Sequence, residues 1–248
     1  MEQVLIVTGG SRGIGAATAR LGAARGYAVA VNYSRHRAGA EAVVAAIEAE
    51  GGRAAALQAD VSDERQVESL FAAAEAALGP VTALVNNAGF TGPAGRLDAA
   101  SAEAIRRVVE VNYLGTVWCC REAVRRMSTR HGGAGGAIVN LSSGAASIGS
   151  PGVYVWYAGT KGAIDSFTLG LAKEVARDGI RVNAVAPGFV DTRIHADSGM
   201  PSRLEDEAPQ EPLGRAARPE EIAEPILWLL SPAASFTTGA VLRVAGGR

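Results

Sequence analysis

Tyr157 and Lys161 stand four residues apart in the run Tyr157-Ala158-Gly159-Thr160-Lys161. On a helix this spacing puts both side chains on one face, so an ammonium can lie beside a phenol. An unperturbed phenol titrates near ~10, and a nearby positive charge stabilises its phenolate. A tyrosine tuned in this way can trade protons with a substrate near neutral pH. Lys161 and Lys173 are the only lysines in a chain otherwise rich in arginine.

A second set of residues suits a phosphate. Thr8-Gly9-Gly10-Ser11-Arg12-Gly13-Ile14-Gly15 follows an apolar strand pattern and opens a helical one. Glycines let the backbone turn tightly and approach a pyrophosphate, and the helix N-terminus adds free N–H groups and partial positive charge. The spacing is Gly-x-x-x-Gly-x-Gly rather than Gly-x-Gly-x-x-Gly. The end of the next strand reports on the nucleotide. NAD sites usually carry an acid there for the ribose 2′-hydroxyl, but the segment reads Asn32-Tyr33-Ser34-Arg35-His36-Arg37. Arginines suit a dianionic 2′-phosphate through charge-assisted bonds. With Arg12 in the turn as well, NADP(H) is expected over NAD(H), which remains possible.

The elements that must position these groups alternate. Strand patterns at 4–8, 28–32, 54–58, 83–86, 137–141, 181–186 and 240–244 are separated by helical patterns at 14–25, 38–50, 63–78, 101–130, 157–177 and 219–230. Ser62 is the expected cap of the 63–78 helix, and the 101–130 segment reads as one helix or two pieces. Strands joined through helices need crossover connections, which predicts a parallel sheet. The expected fold is α/β: one Rossmann-like, doubly wound domain over 1–248, with about seven strands and helices on both faces. Residues 191–212 are polar, contain proline and show no period. They read as an insertion, either a substrate loop or a plain surface loop.

Composition narrows the classes. Hydrophobic residues make up 48 % of the 248, enough for a large core. The net charge of -1, with arginines spread among acids, gives no field favouring nucleic acid or an anionic membrane. No apolar run is long enough to span a bilayer. Cys119 and Cys120 are adjacent, poor geometry for a mutual disulfide, and have no partner at zinc spacing. They read as small buried hydrophobes in a reducing cytoplasm. The first residues enter a strand pattern with no basic region or cleavable apolar segment, in keeping with a cytoplasmic location. No metal-ligand cluster is found, and no metal is expected.

Together these residues resemble the short-chain dehydrogenases/reductases of regular length, the kind that includes glucose dehydrogenases and 3-oxoacyl carrier-protein reductases. The resemblance covers essentially the whole chain. Residues 8–15 look like the family's cofactor turn, and Asp60-Val61 like its adenine-contacting pair. Asn86-Asn87-Ala88-Gly89 looks like the motif that steadies the central sheet and borders the cofactor. Asn112 matches the family's active-site asparagine, Ser143 its catalytic serine, and Tyr157 with Lys161 its catalytic pair. Pro187-Gly188-Phe189-Val190-Asp191-Thr192 looks like the segment beside the nicotinamide. Ser142 is a neighbouring alternative to Ser143, which fits the family position better. Tyr154 has Ala158 four residues on and lacks the lysine.

The resemblance implies hydride transfer between nicotinamide and a carbonyl or secondary alcohol. Tyr157 would act as general acid or base, with Lys161 lowering its pKa and holding the nicotinamide ribose. Ser143 would polarise the carbonyl, and Asn112 would hold a water in a proton relay. It also implies a homotetramer assembled through the 101–130 and 157–177 helices and the C-terminal segment. Ala245 stands where the family often has Asp or Asn. Substrate choice is expected in residues 145–153 and 191–212. Phe189, His195 and Met200 could line a pocket there but read better as surface or packing, as Tyr154 and Trp156 read as core. Asp178 stands where carrier-protein reductases have a base, which argues against a carrier-protein substrate. The alternative activities are a glucose or sugar 1-dehydrogenase, the nearest named relatives, or still a 3-oxoacyl carrier-protein reductase, and an NADP-sensing regulatory protein on the same fold is the non-enzymatic one.

Overall fold

In a computed structural model, residues 3–248 are described. Residues 1 and 2 of the expected domain lie outside them. The strands are β1 (Gln3–Val7), β2 (Tyr27–Tyr33), β3 (Ala54–Gln58), β4 (Val81–Asn86), β5 (Gly136–Leu141), β6 (Ile180–Pro187) and β7 (Val241–Val244). They form one seven-stranded sheet in the order β3-β2-β1-β4-β5-β6-β7. Every pairing is parallel, from Leu5 opposite Val29 in the middle to Val185 opposite Leu242 at the edge. The strand order reverses between β1 and β4, and such a switch point opens a crevice at the carboxyl ends of the strands.

The helices are α1 (Gly13–Ala24), α2 (Arg37–Ala49), α3 (Glu64–Leu78), α4 (Ala102–Val109), α5 (Gly115–Met127), α6 (Ala145–Ile148), α7 (Val155–Val175), α8 (Ile194–Asp197), α9 (Arg203–Glu207) and α10 (Pro219–Leu230). Both faces of the sheet are covered, which is why its strands are continuous apolar runs rather than alternating ones. Leu5 and Val7 of β1 face a core shared with α1, α2 and α10. Val4 and Ile6, one residue out of step, face a core shared with α3, α5 and α7. Cys119 and Cys120 are free thiols buried in that second core, and burial pushes Cys120 up to about 12. Among the described residues no helix is long and apolar enough to cross a membrane.

Two local expectations change, the cap of α3 and the 191–212 segment, and the 101–130 segment takes its two-piece form. The cap of α3 is Asp63, whose carboxylate accepts from the N–H groups of Arg65 and Gln66 at 2.9 and 3.3 Å. Ser62 is engaged elsewhere: its hydroxyl donates to Asp60 at 2.7 Å and accepts from Arg107. The 101–130 segment is two helices joined by a π-helical turn at Glu110–Leu114, followed by a short 3₁₀ turn. The 191–212 segment is not irregular throughout; it folds α8 and α9 over the carboxyl ends of the strands.

Candidate active site

A single cavity of about 1280 Å³ runs along the switch point. It exceeds the ~300–1,000 Å³ typical of one small ligand. Of the expected site residues it is lined by Gly9, Ser11, Arg12, Gly13, Ile14, Asn32, Tyr33, Ser34, Arg35, Asp60, Val61, Asn87, Ala88, Gly89, Ser143, Tyr157, Lys161, Pro187, Gly188, Val190 and Thr192. Gly15 and Asn112 are not on its surface; they sit behind the wall.

The turn between β1 and α1 fits a pyrophosphate. Gly9 and Gly13 have φ of +61° and +54°, the left-handed region open to glycine. A Cβ on Gly15 would lie 2.4 Å from the Gly9 carbonyl oxygen, so a side chain there would push the turn open. Asn87 staples the turn by donating to the carbonyls of Thr8 and Gly9, both at 2.9 Å. The start of α1 has no side-chain cap and no acid in its first turn. Its free N–H groups are therefore left for an anion.

Beyond the turn, Asn32 is structural. It bonds the Gly9 N–H and the Leu57 and Ala59 carbonyls, tying β2, β3 and the turn together. Arg35 is exposed at the cavity rim and makes no ion pair among the described residues. Arg12, by contrast, pairs with Asp197 of α8 at 2.7 Å, and Arg37 with Glu41 at 2.7 Å. Asp60 is gripped by Ser62 and by Arg107 of α4; these bonds hold its carboxyl below the usual range although burial opposes them.

At the other end, β5 runs into Ser142 and Ser143, and Tyr157 stands in the first turn of α7. Ser143 shares a hydrogen bond with the Tyr157 hydroxyl and accepts the Ala145 N–H at 3.1 Å. Ser142 turns away, toward Asp165 and the Lys161 carbonyl. Of the adjacent serines, Ser143 is therefore the one beside the phenol. Tyr157 is buried, and desolvation pushes it up to about 12 against the Ser143 bond. Lys161 lies one turn along, its Nζ 5.6 Å from the Tyr157 ring centre, and burial brings it down to about 8. The expectation that Lys161 lowers the tyrosine is not how these atoms sit. Its ammonium donates to the Leu141 carbonyl at 2.5 Å instead.

Asn112 lies in the π-helical turn, a feature frequent at functional sites. Its amide clasps the backbone of Phe90, accepting the N–H at 3.0 Å and donating to the C=O at 2.9 Å, and donates to Thr160 at 3.4 Å. A Cβ on Gly89 would meet Asn112 Oδ1 at 3.1 Å and Lys161 Nζ at 3.8 Å, so these three residues adjoin. A Cβ on Gly188 would meet the Ala245 backbone at 2.9 Å, so the close approach of these two segments needs glycine at 188.

Several wall residues went unassigned or were read differently from the sequence. Tyr154, Phe189 and His195 are buried as packing residues are, yet all three line the cavity. Arg203 joins them, donating to the Tyr154 hydroxyl at 2.5 Å across 49 positions of chain. No local pattern could have announced that pairing. Trp156 does pack as expected, its indole N–H donating to the Thr91 carbonyl at 2.8 Å. Met200 packs beside the same cluster and is not on the cavity surface.

Comparison with known proteins agrees with this architecture. A family model described as enoyl-(acyl carrier protein) reductase matches residues 9–248. The chain is 50 % identical over 245 residues to the uncharacterized oxidoreductase YgfF of Escherichia coli (strain K12), covering 99 % of each. It is 42 % identical over 247 residues to a cis-4-hydroxycyclohexanecarboxylate dehydrogenase of Sinomonas cyclohexanicum, covering 99 % of this chain and 96 % of that one. A crystal structure of a dehydrogenase/reductase from Sinorhizobium meliloti 1021 superposes with a TM-score of 0.90 at 34 % identity, over 99 % and 94 % of the two chains. With the switch-point cavity, the glycine turn and the serine–tyrosine–lysine grouping all present in one such sheet, the chain belongs to the short-chain dehydrogenase/reductase family of nicotinamide-dependent oxidoreductases.

Proposed function

We propose that the chain is an NADP(H)-dependent oxidoreductase that transfers a hydride between nicotinamide and a carbonyl or secondary alcohol carbon, with Tyr157 as general acid and base. The observation that carries this reading is the Ser143–Tyr157 hydrogen bond at the floor of a cavity whose far end is the glycine turn. The bound dinucleotide would supply or accept the hydride. Tyr157, protonated with a value near about 12, is a proton donor to an oxygen gaining negative charge. The Ser143 hydroxyl orients that oxygen and shares its charge. Lys161, one helical turn along and also on the cavity wall, is the buried cation that would hold the nicotinamide ribose. Asn112 fixes the Phe90 loop against α7 and so holds the Gly89 wall in place.

The choice of NADP(H) rests on Arg35 more than on Arg12. Arg35 is without an ion pair among the described residues, whereas Arg12 is already neutralised by Asp197. Assembly as a homotetramer, through α4, α5, α7 and the C-terminal segment, is supported by exposed apolar side chains there, Leu169 on α7 and Phe236 before β7 among them. A cytoplasmic location is supported by two free buried thiols. The reaction is tested by assaying ketones, sugars and β-ketoacyl thioesters with NADPH and NADH. Tyr157→Phe is expected to lower turnover by ~10³-fold or more while NADPH still binds. Near-normal turnover in that variant contradicts the assignment.

A further inference from the structure

Tyr154, Phe189, His195, Arg203 and Arg248 form one wall of the cavity. Its most buried charge is Arg203, 8 % exposed. The guanidinium donates through Nε and Nη2 to Glu207, at 2.9 and 3.4 Å, and through Nη1 to Tyr154. A guanidinium has five N–H donors, so part of this fork is left without an acceptor among the described residues. It is also fixed in place, 5.2 Å from the Tyr154 ring and 5.5 Å from that of Phe189. Its counter-ion Glu207 is half exposed and does not line the cavity, whereas Arg203 does. Arg248 repeats the arrangement: it stacks 4.4 Å from the Phe189 ring and lines the cavity, and its partner Glu211 does not. The wall therefore presents two guanidinium groups to the cavity, with their carboxylate partners off its surface.

His195 is an independent sign of a missing partner. The residue is 8 % exposed and lines the cavity, and its Nδ1 is buried with no hydrogen-bond partner. Burial, with Arg203 and Arg248 nearby, brings its pKa down to about 4, so the ring is neutral at pH 7. A buried ring nitrogen left unpaired is costly, and in the Nδ1–H tautomer of the neutral ring this nitrogen is a donor that a carboxylate can accept from. Three acids of the same loop also line the cavity: Asp197, paired to Arg12, and the exposed Asp191 and Glu205.

We propose that this wall is an anion subsite, and that the substrate is a hydroxy or oxo acid whose carboxylate is held by Arg203, Arg248 and His195. The Tyr154 ring lies 5.3 Å from that of Tyr157 and 5.2 Å from the Arg203 guanidinium. Arg203 touches Tyr154 and Phe189 rather than Tyr157, so a carboxylate on it stands apart from the reacting carbon. That spacing selects an acid separated from its carbinol by a ring or short chain, not an α-hydroxy acid. The apolar faces of Tyr154 and Phe189 would cover the spacer. The carbinol end of this assignment rests on the hydride-transfer reading; the carboxylate end does not.

The test is calorimetry on the full chain with saturating NADPH. The probes are cyclohexanecarboxylate, benzoate and hexanoate, each against its primary amide. At least one acid is expected to bind tenfold or more tightly than its amide. Arg203→Met and Arg248→Gln should each shrink that ratio toward one, and Arg203→Lys should restore part of it. Should Arg203→Met fail to fold, Arg248→Gln, at a partly exposed side chain, carries the test alone. Amides binding as well as acids, or a ratio that survives these substitutions, overturns the subsite. Reduction of neutral ketones with no preference for oxo acids overturns the substrate class and leaves hydride transfer standing. Acid binding that depends on Arg203, with no carbonyl reduced, upholds the subsite and overturns hydride transfer.

Discussion

The two ends of the cavity are built from different parts of the chain. At the nucleotide end the chemistry is mostly backbone: left-handed Gly9 and Gly13, the uncapped start of α1, and a turn stapled by Asn87. At the other end it is mostly side chain, with Tyr154 from the residue before α7, His195 from α8 and Arg203 from α9. A backbone site survives many substitutions and suits a cofactor shared across a family. A side-chain wall changes its chemistry with one substitution and suits the choice of substrate. The proton-transfer group lies between them, with Ser143 on the end of β5 and Tyr157 and Lys161 on α7, so its geometry is set by the rigid core.

Substitutions that separate these regions have graded effects. Ser143→Ala removes the hydroxyl beside Tyr157 and is expected to lower kcat by ~10²–10³-fold with the NADPH affinity unchanged. Ser142→Ala, whose hydroxyl faces Asp165 and the Lys161 carbonyl, should stay within about threefold of the parent, the scale of a minor substitution. Steady-state kinetics on the two variants checks both. Gly15→Ala places a Cβ 2.4 Å from the Gly9 carbonyl, which costs about 1–3 kcal/mol of strain. Expressed in the nucleotide site, that is about 10- to 100-fold weaker NADPH binding, measurable by fluorescence titration. Arg35→Glu should weaken NADPH by about 10- to 100-fold and NADH far less, because a charge-assisted bond is worth about 1.5–3 kcal/mol. Equal losses for both nucleotides would remove Arg35 from the 2′-phosphate.

The smallest effect is on stability at the substrate end. His195 is brought down from 6.5 to about 4, so between those values the unfolded chain binds the proton that the folded chain refuses. Folding stability from this group is full above pH 6.5 and is lost as pH falls toward 4. His195→Gln should therefore flatten that acid limb, by about 1 kcal/mol once loop relaxation is counted. Thermal melts from pH 7 to pH 4 read the difference, and parallel curves would contradict it.

Much of this was legible from residue patterns, for physical reasons. Seven apolar strand runs broken by helical periods admit few topologies other than a parallel sheet, and the observed order is of that kind. The glycine turn and the Tyr157–Lys161 spacing are local, so their chemistry can be read from neighbouring residues. What escaped is non-local or competitive. Ser62 and Asp63 both make good caps, and only the position of Arg107 draws Ser62 to Asp60. The π-helical turn at Glu110–Leu114 leaves no mark on an apolar period. Arg203 reaches Tyr154 only after α8 and α9 fold over the strand ends. The direction of the Lys161 head likewise depends on a carbonyl 20 positions away.

The most direct measurement follows the hydride. Deuterium at C4 of NADPH, incubated with the chain and a reducible ketone, is expected to appear on the carbinol carbon of the product. Tyr157→Phe, with NADPH bound, is expected to give almost no labelled alcohol. Product alcohol without deuterium, or labelled product formed equally well by Tyr157→Phe, would contradict a hydride transfer completed by this tyrosine.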